Sequence, residues 1–382
     1  MGNGKSLRTV GLFAGIGGIE LGLSRSGHDP RLLCEIDPAA SSVLKAKFTD
    51  VPVVGDIRQL GELPDCDVVS AGFPCQDLSQ CGKTNGIQGE RSSLVREVFR
   101  LISRSKSKPK WILLENVPFM LRLDRGRAMT LIAEELRALG YRWAYRTIDA
   151  RAFGVPQRRE RIVLLASPDE DPKAVLFSKR FSDLSQPDDA SAFGFYWTEG
   201  TKGLGWAIDC VPTLKGGSTL GIPSPPAVWL PRERRIATID IRDAERLQGF
   251  PPNWTKSAVS DGRRQGFRWR LVGNAVCTRL SEWIGHRLSN PSSQSCEVGE
   301  LISSTGPWPK AACGDGIEVR EIVANTRPVR RKEQPLLDFL KYAMPSLSQR
   351  ATAGFLSRAK KSRLRFAHGF LDDVAHHLAE VS

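Results

Sequence analysis

The chain has 382 residues, 41% hydrophobic and 25% charged, with a formal charge of +13. That balance belongs to a folded globular protein and excludes disordered and collagen-like classes, and the length can bury one large and one smaller core. The basic excess, with a sequence pI near 9.6, favours a polyanionic partner, because basic side chains that neutralise phosphates release condensed counterions. The eight cysteines form no CxxC pair and the five histidines complete no zinc spacing, so no metal site is expected. No apolar signal core or bilayer-length apolar stretch occurs, so a cytoplasmic protein with free thiols and no membrane contact is expected.

From residue 8 to 167 short apolar runs alternate with helical patterns, which predicts an α/β fold with a mostly parallel sheet. Strands are predicted at 9–13, 32–36, 67–71, 111–114 and 161–166, and helices at 17–26, 93–105 and 127–139. In such sheets ligands gather beyond the carboxyl ends of the strands. Residues 1–167 are therefore expected to form the catalytic and cofactor-binding domain. Residues 168–235, rich in Pro, Gly, Ser and Asp, predict a small irregular domain. Order returns over 236–290, with a helix at 276–288, and an arginine concentration from 232 to 279 also holds Trp254 and Trp269. Residues 291–382 read as a polar linker followed by a helical extension over 336–378, with a basic run at 358–365 that reads as a solvated face or, alternatively, as an extra DNA-contacting helix.

The chemistry-bearing residues fall at the predicted strand ends. Phe13-Ala-Gly-Ile-Gly-Gly18 runs from a strand into a helix, letting backbone N–H groups approach a ligand closely, though Glu20 stands where the dinucleotide pattern needs glycine. Glu35 can accept ribose hydroxyls and Asp56, before Ile57, an adenine amino group. Gly72-Phe-Pro-Cys-Gln-Asp-Leu-Ser79 places the Cys75 thiol where a substrate should lie, and Glu115-Asn-Val117 supplies a carboxyl group at another strand end. Most cysteines are packing residues, the reading that suits Cys34, Cys66 and Cys277. C5 of cytosine becomes nucleophilic only after something adds to C6, which a thiolate can do while a carboxyl group protonates N3. In Val155-Pro-Gln-Arg-Arg-Glu-Arg-Ile162, strand alternation would send Gln157, Arg159 and Arg161 to one face, towards a base and its phosphate, while a solvated charge run is an equal reading for Arg158.

These segments, with Arg246-Leu-Gln-Gly-Phe-Pro251 and Gly273-Asn-Ala-Val276, resemble the ordered motifs of cytosine-C5 DNA methyltransferases from residue 9 to about 288. The resemblance implies an S-adenosyl-L-methionine-dependent (Rossmann-like) methyltransferase with a target-recognition segment at 168–235. It implies cofactor contacts by Phe13, Ala14, Gly15, Gly17, Gly18, Glu35, Asp56, Ile57, Pro74, Asn274 and Val276. Cys75 is then the nucleophile, Glu115 engages N3 and the exocyclic amine, and Arg159 and Arg161 hold the base. Gln76, Ser79, Gln157, Thr213, Leu214 and Gln248 are implied on the DNA side. The flipped cytosine would be methylated within a specific double-stranded DNA sequence, by a monomer acting as the modification enzyme of a restriction-modification system, with a cognate restriction endonuclease acting separately. The motif around residues 238–245 departs from the family, with Asp240 and Asp243 where Thr and Glu are usual. Two alternatives stand beside this reading. One is the transfer-RNA branch of the family, whose Cys-Phe-Thr motif is absent here, and the other is an inactive DNA-binding regulator, which would lack one of the catalytic groups.

Overall fold

The computed structural model describes residues 5–73, 94–177, 190–216, 223–259, 265–293, 296–303 and 307–382. The chain divides into two compact units. The first comprises Met1–Asp149, Glu160–Asp183 and Val276–Arg330, and the second comprises Ala150–Arg159, Leu184–Ala275 and Arg331–Ser382.

The first unit is built on one ten-stranded sheet. In spatial order the strands are Val298–Leu301, Val319–Ile322, Ala311–Gly314, Arg142–Asp149, Glu160–Ser167, Trp111–Asn116, Val68–Ala71, Arg8–Leu12, Asp29–Cys34 and Val53–Val54. The last five are mutually parallel, Glu160–Ser167 runs antiparallel beside Trp111–Asn116, and Arg142–Asp149 runs antiparallel to Glu160–Ser167. Trp111–Asn116 and Val68–Ala71 are buried at every residue, as strands covered on both faces must be, which explains their largely apolar sequences. Arg8–Leu12 lies between Asp29–Cys34 and Val68–Ala71, so the strand order reverses beside it, and that reversal opens a ligand crevice at the carboxyl ends.

Local chemistry fixes the helices around this crevice. Asp37 caps helix Pro38–Lys47, its carboxylate accepting the N–H groups of Ala39 at 2.9 Å and Ala40 at 3.0 Å, with Pro38 in the first turn, where no N–H is needed. Helix Gly18–Arg25 packs against helix Thr278–Ser289 so closely that a Cβ on Gly22 would lie 2.5 Å from the Thr278 carbonyl oxygen. A Cβ on Gly18 would meet the Val276 carbonyl oxygen at 2.6 Å. Glycine at both positions is thus a packing requirement.

The sheet does not end where a polar linker was expected after residue 290. Ala311–Gly314 pairs with Arg142–Asp149, and Val319–Ile322 and Val298–Leu301 continue the sheet outward. Trp308 packs against Trp143 and Tyr145 and donates to the Gly126 carbonyl at 3.0 Å, while the Tyr145 hydroxyl donates to Pro309.

The second unit holds an antiparallel sheet in the order Ala207–Ile208, Phe193–Phe195, Ala227–Leu230 and Arg235–Thr238. Its core takes Phe195, Trp229 and Ile236 from the sheet and Phe355, Leu356, Phe370 and Val374 from helices Gln349–Lys360 and Phe370–Glu380. Asp373 accepts the Trp229 indole N–H at 3.0 Å and Arg234 at 2.8 Å, and Arg358 donates to the carbonyls of Trp197 and Glu199. The helical extension is therefore part of this unit's core. Asp240 caps helix Ile241–Leu247, and buried Asp243 accepts the backbone N–H groups of Lys341 and Tyr342. The two departures from the family motif thus have defined roles, one of them towards the extension.

Candidate active site

The carboxyl ends of the five parallel strands carry Phe13, Glu35, Gly55 with Asp56, Gly72 with Phe73, and Glu115 with Asn116. Phe13 has φ 53°, which turns the chain sharply out of the first strand. The Ala14 N–H then bonds to the Cys34 carbonyl at 3.0 Å. Glu35 clamps the loop: one carboxylate oxygen accepts the Gly15 N–H at 2.8 Å and the other the Asp37 N–H at 2.7 Å. Burial pushes the Glu35 pKa up, and the two backbone donors oppose that shift. Each carboxylate oxygen retains a further lone pair for a ligand hydroxyl. Ile36, beside Glu35, is 64% exposed. An aliphatic side chain standing in solvent at a strand end fits the face of a nucleobase, and a sequence search for polar groups passes over it. Asp56 accepts the Arg58 N–H and pairs with its guanidinium, which holds its carboxyl below the ordinary range, while Ile57 is buried.

Glu20, unassigned by its sequence, lies under the loop. It is 1% exposed and accepts the Ser70 hydroxyl at 3.1 Å. Burial raises its pKa from 4.5 to about 7 against the opposing Ser70 hydrogen bond. Because the folded chain holds this proton more tightly than the unfolded one, the stabilisation is complete below about 4.5 and is lost as pH rises through about 7. Thermal unfolding of wild type and Glu20→Gln across that range should show the variant gaining relative stability with rising pH; a pH-independent difference would refute this role.

The second cluster belongs to the same unit. Glu115 pairs with Arg161 Nε at 2.9 Å, both side chains nearly buried. Burial lowers the Arg161 pKa and the Glu115 carboxylate opposes it. Asn116 donates to the Phe73 carbonyl at 3.0 Å and accepts the Val117 N–H, tying this strand end to the start of the Pro74-Cys75 segment. A Cβ on Gly72 would lie 3.5 Å from a Glu115 carboxylate oxygen. Pro74, Cys75, Gln76 and Ser79 lie outside the described residues.

The expected common face for Gln157, Arg159 and Arg161 is not formed, because the strand breaks at Arg159. Gln157 pairs with Val211, whereas Arg161 sits opposite Ile148 in the large sheet. Within the second unit Arg159 is 1% exposed and donates to the carbonyls of Leu214, Gly273 and Ala275. Gln157 donates to the Leu247 carbonyl and accepts the Leu214 N–H, and Gln248 donates to the Val272 carbonyl. Gln157, Leu214 and Gln248 are buried, and their polar groups brace this unit. Thr213 donates to the Arg158 carbonyl at 2.7 Å. Asn274 is exposed in the second unit, and Val276 lies against Gly18 in the first. Among the described residues no three His, Cys, Asp or Glu side chains cluster to hold a metal, and no helix is long and apolar enough to cross a membrane.

The model of the C-5 cytosine-specific DNA methylase family matches residues 7–202. The chain belongs to that family. The methyltransferase fold class and the DNA cytosine-5 methyltransferase activity expected from the motifs therefore hold. The chain is 50% identical to the Type II methyltransferase M2.BsuMI of Bacillus subtilis (strain 168), over 96% of its own length and 97% of that protein. So much of the family member is covered that the match includes residues after 290. It is 31% identical to the Type II methyltransferase M.NlaX of Neisseria lactamica, over 74% of this chain and 96% of that one. Two solved structures share the fold. The S. pombe Dnmt2 methyltransferase has a TM-score of 0.55 at 18% identity, covering 74% of this chain and 97% of that one. A putative DNA modification methyltransferase encoded within a prophage of E. coli has a TM-score of 0.52 at 20% identity, covering 75% and 99%.

Proposed function

We propose that this family member methylates C5 of a cytosine flipped out of a specific double-stranded DNA sequence, using S-adenosyl-L-methionine and a transient covalent bond from Cys75 to C6. The observation that carries the reading is the Glu115–Arg161 pair at the end of a central strand, tied through Asn116 to the residue that leads into Pro74-Cys75. The Cys75 thiolate adds to C6 while Glu115 delivers a proton to N3 and accepts from the exocyclic amine, turning the ring into an enamine. Arg161 orients the Glu115 carboxylate, and Arg159, through its three backbone acceptors, acts as a positioning residue. After C5 is methylated it loses its proton, the sulfur–C6 bond breaks and the thiolate returns.

S-adenosyl-L-methionine, when bound, supplies an electrophilic methyl group. The residues at the first two strand ends fit it: the Phe13 to Gly18 loop turns tightly beside Glu35, Glu35 suits a ribose and Ile36 suits an adenine face. Glu35→Gln should weaken cofactor binding roughly 10- to 100-fold, the effect of losing a charge-assisted hydrogen bond, measured by calorimetry on the folded protein; unchanged affinity would remove Glu35 from the site.

We further propose a monomer in a bacterial cytoplasm acting as a restriction-modification methyltransferase, a setting supported by the Type II names of its relatives, with an endonuclease acting separately. The test is methyl transfer from labelled S-adenosylmethionine to unmethylated genomic DNA and to total transfer RNA, followed by bisulfite mapping. Label at cytosines within one short DNA motif supports the proposal. Label confined to transfer RNA would overturn the DNA assignment.

A further inference from the structure

The segment joining the two C-terminal helices carries Lys360, Lys361, Arg363 and Arg365 in exposed positions. Exposure alternates from Lys361 to Phe366. Leu364 and Phe366 turn inward onto the aromatic core of the second unit, with Phe366 5.9 Å from Phe370, whereas Lys361, Arg363 and Arg365 turn outward. Lys361 closes the preceding helix in an α conformation, and beyond it the anchored Leu364 and Phe366 leave Arg363 and Arg365 exposed on either side of Leu364. Among the described residues none of these three cations pairs with an acidic side chain. Favourable interaction with a helix carboxyl end accounts for Lys360 and Lys361, at the end of Gln349–Lys360, but not for Arg363 and Arg365 beyond it.

Exposed, unpaired cations on a segment anchored by Leu364 and Phe366 are a surface for a polyanion, and guanidinium groups suit phosphate oxygens. We infer that Lys361, Arg363 and Arg365 form a contact surface for the phosphate backbone of duplex DNA flanking the methylated sequence. The inference rests on the proposed action on double-stranded DNA. The surface contributes affinity without reading bases, since phosphate contacts position a protein on DNA and carry no direct sequence information.

The test compares the full-length chain with a Lys361→Gln, Arg363→Gln, Arg365→Gln variant, measuring binding to a duplex containing the methylated sequence by fluorescence anisotropy over a series of salt concentrations. The expected result is a salt-dependence slope shallower by about 0.9 for each phosphate that the variant no longer neutralises, and binding at least about tenfold weaker at low salt. The thermal midpoint and the methylated sequence should not change. A control with Lys5, Lys45 and Lys106 changed to Gln removes the same charge from exposed positions of the first unit. Equal slopes in wild type and variant, or an equal effect of the control, would overturn the surface while leaving the methyltransferase assignment intact. Failure of the wild type to bind duplex DNA would overturn both.

Discussion

Glu115→Gln is expected to lower kcat for methyl transfer by roughly 10²- to 10⁴-fold, the range for removing a positioned general acid. Glutamine keeps the shape of the side chain and still offers a donor and an acceptor to a base edge, but it has no proton to give to N3. Cofactor affinity should be unchanged, since Glu35 and the glycine loop proposed to serve the cofactor follow other strands than Glu115. Folding stability should fall as well. Arg161 is nearly buried and loses the carboxylate at 2.9 Å, and breaking a buried pair by removing one partner costs about 3–5 kcal/mol. Activity must therefore be measured below the variant's own unfolding temperature. Glu115→Asp, which restores the proton but not its reach, should recover part of the stability and little of kcat. A Gln variant retaining more than a tenth of wild-type kcat would contradict the assigned role.

Cys75→Ser should abolish methyl transfer by at least about 10³-fold, as expected when a covalent nucleophile is removed from a site that still binds its substrate. The hydroxyl is a far weaker nucleophile near neutral pH than a thiol with a thiolate fraction. Cofactor and DNA affinity should persist, so the loss belongs to kcat. The buried cysteines offer a contrast: burial pushes the Cys34 and Cys66 thiols up to about 12, and their replacement by alanine should alter stability before chemistry. Full activity in Cys75→Ser would remove the covalent step from the mechanism.

The proposed strand-end groups stand out in the sequence because they follow short, largely apolar runs, as Glu115 follows Trp-Ile-Leu-Leu and Gly72-Phe73 follows Val-Val-Ser-Ala. What lies beyond those runs is less visible. Strand Arg142–Asp149 intersperses Arg142 and Arg146 among aromatic residues, and Arg146 is buried only because its guanidinium meets the carbonyls of Leu176 and Asn325. Val298–Leu301 is the edge strand and Val319–Ile322 the next one in, and both are short and largely exposed, so their composition resembles a linker. The alternation from Gln157 to Arg161 has the period of a single strand, yet the chain gives Gln157 and Arg161 to separate sheets. Glu20 and Glu245 carry no motif signal. Glu245 is fully buried and accepts from Thr255, Asn253 and Arg268, contacts that only tertiary structure brings together.

Covalent trapping tests the Cys75–C6 bond itself. A duplex in which the target cytosine carries fluorine at C5 can undergo thiolate addition and methylation, but has no C5 proton to lose, so the sulfur–C6 bond cannot break. With S-adenosylmethionine present, a protein–DNA complex stable to denaturant is predicted, with mass spectrometry placing the nucleotide on the peptide containing Cys75 and no complex formed by Cys75→Ser. Methylation of ordinary cytosine in the same duplex without any trapped complex, or a nucleotide attached to a different residue, would contradict the covalent mechanism.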